Sequence, residues 1–417
     1  MIVVVSTEGH FSRTPDGCIR SQMAQSYLFW KRYLEVFDGV RIVARLSNVP
    51  SPPLNSLPVD GPGVAIAAVP DYLGPWQYLR NIIGIRRAVQ GGIGPDDAII
   101  MRVPSVLSNS IFSVVKASER PYAVEVLGDP WDVFAPGVVS HPLRPFIRRY
   151  STSQLKIICA NACAAAYVTD FTLQRRYPIS RGKYKTSYSS IILPENAMKS
   201  MSAGVSNVEL HGEYAFSFPR LHESPDNAFR LVMVGSLAQL YKGADVAIKA
   251  LHLCVRAGWN ILLTIIGDGK YRPSLERLTA RLGLTERVIF RGQLPQGNAV
   301  FDELNRNDLF IMPSRTEGLP RAMIEAMSQG LPCIGSCVGG IPELLPPEDM
   351  FPPNDAQALA AKICDIIAYP DRVRHMSARN LERAKDFREE ILHNRRMEFY
   401  RFIREHTAEW LERKRAA

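Results

Sequence analysis

The sequence predicts an α/β protein made of two doubly wound, Rossmann-like domains followed by a helical region. Three observations predict it. The 417 residues exceed what one ordinary hydrophobic core organises. Apolar strand-like runs alternate with amphipathic helical ones, and strands apolar along their whole length belong to parallel sheets covered on both faces. The alternation also breaks off once and starts again, as two successive domains require.

The elements follow in order. "MIVVVS" opens as a buried strand rich in β-branched residues. A loop from Gly9 to Gly17 comes next, then an amphipathic helix, "RSQMAQSYLFWKRYLEVF", and a second strand, "VRIVARL". Further strands are expected at "VAIAAV", "AIIMRV", "YAVEVL" and "KIICANACAAAYVT". Residues 195–227 lose periodicity and gain Ser, Pro and Asn, which marks a linker. The second series has strands at "FRLVMVGS", "NILLTIIGDG", "RVIFRG", "DLFIMPS" and "LPCIGSCVGG". Its helices are "GADVAIKALHLCVRAG", "YRPSLERLTARLGL" and "PRAMIEAMSQG". From about residue 373 the chain reads as long, charged and helical. The expected domains are 1–200, 201–385 and a helical tail, 386–417, that packs back toward the first domain.

Composition narrows the class. An apolar content of 46% with 22% charged residues fits a globular protein. "MIVVV" lacks a basic leader and is too short for a signal peptide, and no stretch approaches the ~18 apolar residues of a membrane span. The expectation is a cytoplasmic protein, peripheral at most on the inner face of the cell membrane. Cys159/Cys163 and Cys333/Cys337 have i, i+4 spacing but no second pair to complete a zinc set, so the seven cysteines read as small buried hydrophobes. No metal and no cofactor is expected. The net charge of +9 is uneven: residues 1–220 hold 23 Lys and Arg against 16 Asp and Glu. Within 144–185, nine basic residues face a single acid, Asp170. Such a patch attracts lipid headgroups, a lipid-phosphate substrate or nucleic acid, or is a solvated face with no partner. The segment "PDYLGPWQYLRNIIGIRRAV" mixes aromatics with arginines, which suits either a helix lying at an anionic membrane or an ordinary surface helix with aromatics turned inward.

The stretch "PSRTEGLPRAMIEAMSQGLP", residues 313–332, carries the most chemistry. It follows a strand, and open α/β sheets bind ligands at the carboxyl ends of their strands. Pro320 suits a first helical turn and Gly330 the position just past the end. The amino end of this helix offers free N–H groups and a positive dipole, which fits a diphosphate. Gly318 allows close backbone approach. Glu317 precedes the helix and Glu325 lies ~7.5 Å along it, so two acceptors could hold hydroxyls of two rings. The alternative has Glu317 complementing the dipole and Glu325 on a solvated face.

The run "PSRTEGLPRAMIEAMSQGLPCIGSCVGGIPELL" closely resembles the E-x7-E signature of retaining glycosyltransferase family 4, whose fold is GT-B, two Rossmann-like domains facing across a cleft. The likeness extends through "VGSLAQLYKGADVAIKAL", "IIGDGKYRPSLERL" and "VIFRGQLP", the whole second domain in family order. The resemblance implies transfer of a sugar from a nucleotide-diphosphate donor with retention of anomeric configuration, and the lack of an Asp-x-Asp motif near a strand end leads to the expectation that no metal ion is needed. By the same resemblance Glu325 holds the ribose, Glu317 the transferred sugar, and Gly318, Leu319 and Pro320 run past the phosphates. Lys242 matches the lysine that neutralises the leaving diphosphate. Ser236, after Gly235, stands where many members carry Arg, and Arg315 is a candidate substitute for that charge. Arg291, in "FRGQLPQG", is the candidate for the base.

In the first domain, the resemblance places the loop after the first strand over the donor phosphates, with Gly9 and Gly17 as candidates for close approach and His10 and Arg13 for charge. The alternative is that these glycines only make turns. Gly128-Asp129 stands where the family often has a histidine pair. Asp129 is a candidate to orient a donor hydroxyl or take the acceptor proton, or else a helix cap. "AAYVTDFTLQRRYP" is similar to members of bacterial surface-polysaccharide pathways, including capsule, exopolysaccharide and lipopolysaccharide. The expected partners are therefore a nucleotide-sugar donor, a lipid-linked glycan acceptor and an anionic membrane surface, with no nucleic acid. A non-catalytic GT-B protein that binds nucleotide-sugar or scaffolds a synthesis complex is the competing reading.

Overall fold

A computed structural model describes residues 1–193 and 228–416, apart from 23–24, 54–55, 137, 140, 190, 192 and 296. The proposed linker, 195–227, lies outside the described residues. The chain forms two compact units: Met1–Trp131 with Pro145–Tyr188 and His393–Ala417, and Asp132–Arg144 with Ser189–Leu392. The first unit thus draws on three stretches of chain.

In the first unit the strands are β1 (Ile2–Arg13), β2 (Ile19–Ser21), β3 (Gly39–Asn48), β4 (Leu57–Pro58), β5 (Val64–Pro70), β6 (Ala98–Val103), β7 (Ala123–Val126), β8 (Ala164–Tyr167) and β9 (Tyr184–Ser187). Its helices are α1 (Tyr27–Lys31), α2 (Gly74–Gly91), α3 (Val106–Ala117), α4 (Pro130–Val133), α5 (Arg144–Asn161) and α6 (Thr172–Arg176), the two stretches Pro130–Val133 and Arg144–Asn161 spanning the boundary between units. Among the described residues the parallel strands run β5-β3-β1-β6-β7-β8-β9, and the antiparallel pair β2 and β4 extends the far half of β1. Fully buried Val3, Val4, Val5, Ile99 and Ile100 explain why these runs are apolar on both faces.

Three expectations change here. β1 does not stop before Gly9: beyond an irregularity between Ser6 and His10 it pairs again with β3 and then with β2, so Gly9 lies within a strand. The helix expected over 20–37 is only Tyr27–Lys31, continued by a 3-10 turn at Arg32–Glu35, because Ile19–Ser21 is claimed by the sheet. "KIICANACAAAYVT" is not one strand: α5 runs through Asn161 and only Ala164–Tyr167 enters the sheet. An apolar run that short supports either state, and its packing decides.

The second unit contains β10 (Phe229–Val234), α7 (Ala244–Arg256), β11 (Ile261–Ile266), α8 (Arg272–Arg281), β12 (Val288–Gly292), α9 (Asn298–Leu304), β13 (Leu309–Met312), α10 (Arg321–Ser328), β14 (Cys333–Ser336), β15 (Met350–Phe351), α11 (Ala356–Ala368) and α12 (Pro370–Ala384). Every strand and helix read from this half of the sequence is present. The strand order is β12-β11-β10-β13-β14-β15, all parallel. Strand order reverses between β10 and β13, which places a ligand crevice outside their carboxyl ends.

The last helix, α13 (Glu389–Ala416), joins the first unit from His393 onward. Tyr400 stacks on Tyr33 with ring centroids 4.4 Å apart, and both phenols donate to buried Glu125, over 3.4 and 3.1 Å. Burial opposes the charge on Glu125, yet Arg102, Arg32 and the tyrosine hydroxyls hold it below the ordinary glutamate range. Burial next to that carboxylate pushes the Tyr33 phenol up to about 12, so it remains a donor.

Candidate functional site

The site grows from the two strands at the reversal of strand order. β10 ends at Val234 and the chain passes through Gly235 and Ser236 to a 3-10 turn, Leu240–Lys242, before α7. β13 ends at Met312 and delivers Ser314 to Pro320 ahead of α10. The two loops meet: Lys242 Nζ donates to Glu317 Oε1 over 2.7 Å, and Ser314 Oγ donates to the same oxygen over 2.6 Å. Both charged side chains are largely covered, with 17% of Lys242 and 7% of Glu317 exposed.

Small residues make this approach possible. A Cβ on Gly235 would lie 2.9 Å from Cγ of Lys242, so the lysine stem crosses a bare backbone. Gly339, at φ +53, packs below the site, where a Cβ would fall 2.0 Å from the Glu317 carbonyl oxygen. Gly340 N–H donates to the Gly318 carbonyl over 2.7 Å. The backbone of 317–318 therefore rests on a second loop rather than hanging free.

The amino end of α10 is open. Pro320 is its N-cap, with no side-chain cap. The N–H groups of Gly318, Leu319, Arg321 and Ala322 have no hydrogen-bond partner among the described residues. Four unspent donors beside an ammonium make a binding place for an anion. Gly330 ends the helix with φ +69, as its spacing suggested.

Glu325 is half-buried on α10, and its carboxylate has no hydrogen-bond or ion-pair partner among the described residues. Burial raises its pKa above the ordinary glutamate value, with Arg321 partly opposing. A half-buried carboxylate without a protein partner is free to accept from hydroxyls of a ligand.

The other sequence candidates divide. Gly235 and Ser236 flank the site, Ser236 exposed with its hydroxyl accepting from Ala238 N–H over 3.2 Å. Arg315 is not a spare cation for a phosphate: its guanidinium grips both oxygens of Asp245 and donates to Asn354 Oδ1 over 2.6 Å and to the Leu240 carbonyl. Arg291 gives its Nε to buried Glu303 over 3.0 Å and remains 43% exposed. Asp129 is buried, with its carboxylate taken up by Arg176, the Tyr177 hydroxyl and, over 2.8 Å, the Trp131 N–H. That is the geometry of the helix cap, not of an open proton acceptor. Gly9 sits in β1, where a Cβ would meet Gln25 Oε1 at 2.8 Å, and nearby Glu8 places a carboxylate on the amino end of α3 through Ser105 Oγ, Val106 N–H and Leu107 N–H. Gly17 is a turn residue at φ +84, and His10 pairs with Asp71.

Sequence reading missed Asp245, Asn354 and Ser314 as supports of the site. Only Asp245 left a trace, an acid in the first turn of α7, and that pattern is too common to single it out. No cluster of His, Cys, Asp or Glu among the described residues could hold a metal ion. No described helix is long and apolar enough to cross a membrane.

Comparison with known proteins bears on this geometry. Residues 228–369, which contain the entire site, match the family model described as Glycosyl transferases group 1. The chain is 28% identical over 380 residues to protein CapJ of Staphylococcus aureus, covering 88% of this chain and 90% of the relative. It is 35% identical over 151 residues to the amylovoran biosynthesis glycosyltransferase AmsK of Erwinia amylovora, covering 34% of this chain and 37% of that one. Among solved structures, sucrose-phosphate synthase of Thermosynechococcus elongatus aligns with a TM-score of 0.65 at 17% identity, over 97% of this chain and 99% of that one. The Anabaena protein HepE in complex with UDP aligns with a TM-score of 0.59 at 15% identity, over 99% of each chain. The fold is GT-B, and the matches together support a GT-B glycosyltransferase.

Proposed function

We propose that this protein transfers a sugar from a nucleotide-diphosphate donor to a lipid-linked saccharide acceptor, with retention at the anomeric carbon and without a metal ion, in the synthesis of a surface polysaccharide. The observation that carries the reading is the meeting of Lys242 with Glu317, 2.7 Å apart, beside the open amino end of α10. In this reading the diphosphate takes the N–H groups of Gly318, Leu319, Arg321 and Ala322. Lys242 then stabilises the negative charge that grows on the leaving phosphate as the glycosidic bond breaks. Glu317, released from part of its bond to Lys242, accepts hydroxyls of the sugar, and Glu325 accepts those of the ribose. Arg315 takes no part in phosphate binding, because Asp245 and Asn354 already hold it.

With Asp129 committed to Arg176 and Tyr177, no histidine or free carboxylate from the Gly128-Asp129 segment is offered to the acceptor. The acceptor proton then passes to the departing phosphate oxygen, which becomes a base as the bond breaks. The AmsK likeness supports a polysaccharide product. Incubation with a panel of UDP-, GDP- and ADP-sugars, following nucleoside diphosphate release, tests the proposal. Slow hydrolysis of one donor is expected; binding of a donor with no turnover under any acceptor condition would favour the scaffold reading instead.

A further inference from the structure

Three helices on one face of the first unit's sheet form a basic, partly apolar surface. α2, α3 and α5 place Ile85 and Val89, Leu107 and Ile111, and Leu155 and Ile158 in one core cluster with Val4, Ile99, Val124 and Ala165 of the strands. They therefore lie side by side on the same face, with α3 against both α2 and the central strands β1 and β6. What they turn away from the sheet is unusual. The three helices carry eight Lys and Arg and no Asp or Glu. Arg80, Arg86, Arg87, Lys116, Arg149 and Lys156 are exposed, and none of these forms an ion pair among the described residues. Of the nearby acids, Asp71 is paired with His10 and Asp97 with Arg41.

The same surface exposes large apolar side chains. Along α2, Leu73, Trp76, Leu79 and Ile83 recur once per turn, on the side opposite the buried Ile85 and Val89, and Trp76 is 80% exposed. On α5, Phe146 and Tyr150 stack with centroids 6.2 Å apart, Phe146 being 68% exposed. Singly exposed apolar residues are ordinary, but a stripe on one helix with a second cluster two helices away on the same face is not. Leu73, Trp76 and Leu79 lie at the start or in the first half of α2, Ile83 at its middle, and Phe146 and Tyr150 in the first half of α5; each helix follows a parallel strand, so most of them gather toward the carboxyl edge of the sheet.

We propose that this face docks on an anionic lipid bilayer, with Trp76, Leu79, Ile83 and Phe146 entering the headgroup layer and the arginines of α2 and α5 engaging lipid phosphates. An acid-free basic face complements a negative surface, and apolar side chains among the basic ones distinguish a bilayer from a soluble polyanion. The inference rests on the transferase reading only in giving the lipid-linked acceptor its location. Vesicle binding is measured without turnover, so the two readings can fail separately.

The test is flotation of the full-length protein with vesicles of equal parts phosphatidylglycerol and phosphatidylcholine, and with phosphatidylcholine vesicles alone. The protein is expected to float with the mixed vesicles only, and less as salt is raised. The double variant Trp76→Ala/Ile83→Ala is expected to lower the partition at least about tenfold. Arg86→Gln/Arg87→Gln is expected to lower it as well. Both are expected to keep the wild-type melting temperature and its shift by UDP or GDP, which reports an intact fold. Wild-type partition in the Trp76/Ile83 variant overturns the proposal, as does equal binding to both vesicle types or to neither. A self-association that the variant abolishes would assign the face to a second copy of the chain. Nucleic-acid binding that needs the arginines but not Trp76 would assign it to a polyanion. Either result also overturns the proposal.

Discussion

Arg315 and Asp245 form a two-pronged ion pair, Nη1 to Oδ1 at 2.9 Å and Nη2 to Oδ2 at 2.8 Å, with 12% and 17% of their side chains exposed. Arg315 N–H also donates to the Tyr241 carbonyl over 2.6 Å. One residue thus fastens the loop that bears Glu317 to the turn that bears Lys242 and to the start of α7. Asn354, held at φ +64, completes the bracket.

From that bracket, Arg315→Ala should cost about 3 kcal/mol of stability, because it leaves a covered carboxylate without its partner. Arg315→Lys should recover part of the stability but not the two-pronged geometry. In Arg315→Lys, donor turnover should fall more than donor affinity, since Lys242 is then misplaced while the α10 amides are untouched. Chemical denaturation and donor hydrolysis measured on the same preparations check this; unchanged turnover in a destabilised Arg315→Lys would make the bracket structural only.

Lys242→Ala should reduce nucleoside diphosphate release about 10²–10³-fold, the scale seen when one preorganised electrostatic group is removed. Gly235→Ala should act through the same lysine, because the new Cβ meets the Lys242 stem at 2.9 Å. It should lower turnover while circular dichroism and melting change little. Turnover near wild type in Lys242→Ala would take the ammonium out of the chemistry.

Glu325 gives a prediction with a definite sign. Burial raises its folded pKa above the unfolded value, so ionising it at neutral pH disfavours the folded state. Stability from the protonated form is present below the unfolded pKa and is lost as pH rises through the folded one. Glu325→Gln should therefore melt higher than wild type at neutral pH, and the gap should close as pH falls below the ordinary glutamate range. Glu325→Ala should abolish the thermal shift given by UDP or GDP. A full shift in Glu325→Ala would remove the ribose role.

Chelation should leave donor turnover unchanged, because the charge on the leaving group is assigned to Lys242 and the α10 amides. Loss of turnover with EDTA, restored by a divalent cation, would refute that assignment.

In the second unit every strand and helix read from the sequence is present, while α9, β15 and α11 were not read. Its strands are mostly apolar, α7, α8 and α10 are followed by Gly258, Gly283 and Gly330, and each element is short-range in sequence. The first unit was legible as a class but not in detail. "RSQMAQSYLFW" has helical periodicity, yet Ile19–Ser21 pairs with both β1 and β4, and such pairing across distant chain leaves no local signal. The same holds for Gly9, which looks like a loop glycine until β3 is seen to continue beside it to Asn48.

By itself, the sequence determined the α/β class, the restart of the strand–helix pattern, and the chemical inventory of the site, Glu317, Glu325, Lys242 and the glycines, because periodicity and residue type act locally. Only the tertiary structure decided which charges are spent. Arg315 and Asp129 looked available and are held by Asp245 and by Arg176 with Tyr177, whereas Glu325, read as a ribose ligand or else a solvated acid, has no side-chain partner among the described residues. The physical reason is that an ion pair depends on distance in space, and residues 70 apart, such as Arg315 and Asp245, meet only once parallel strands bring their loops to one edge of a sheet.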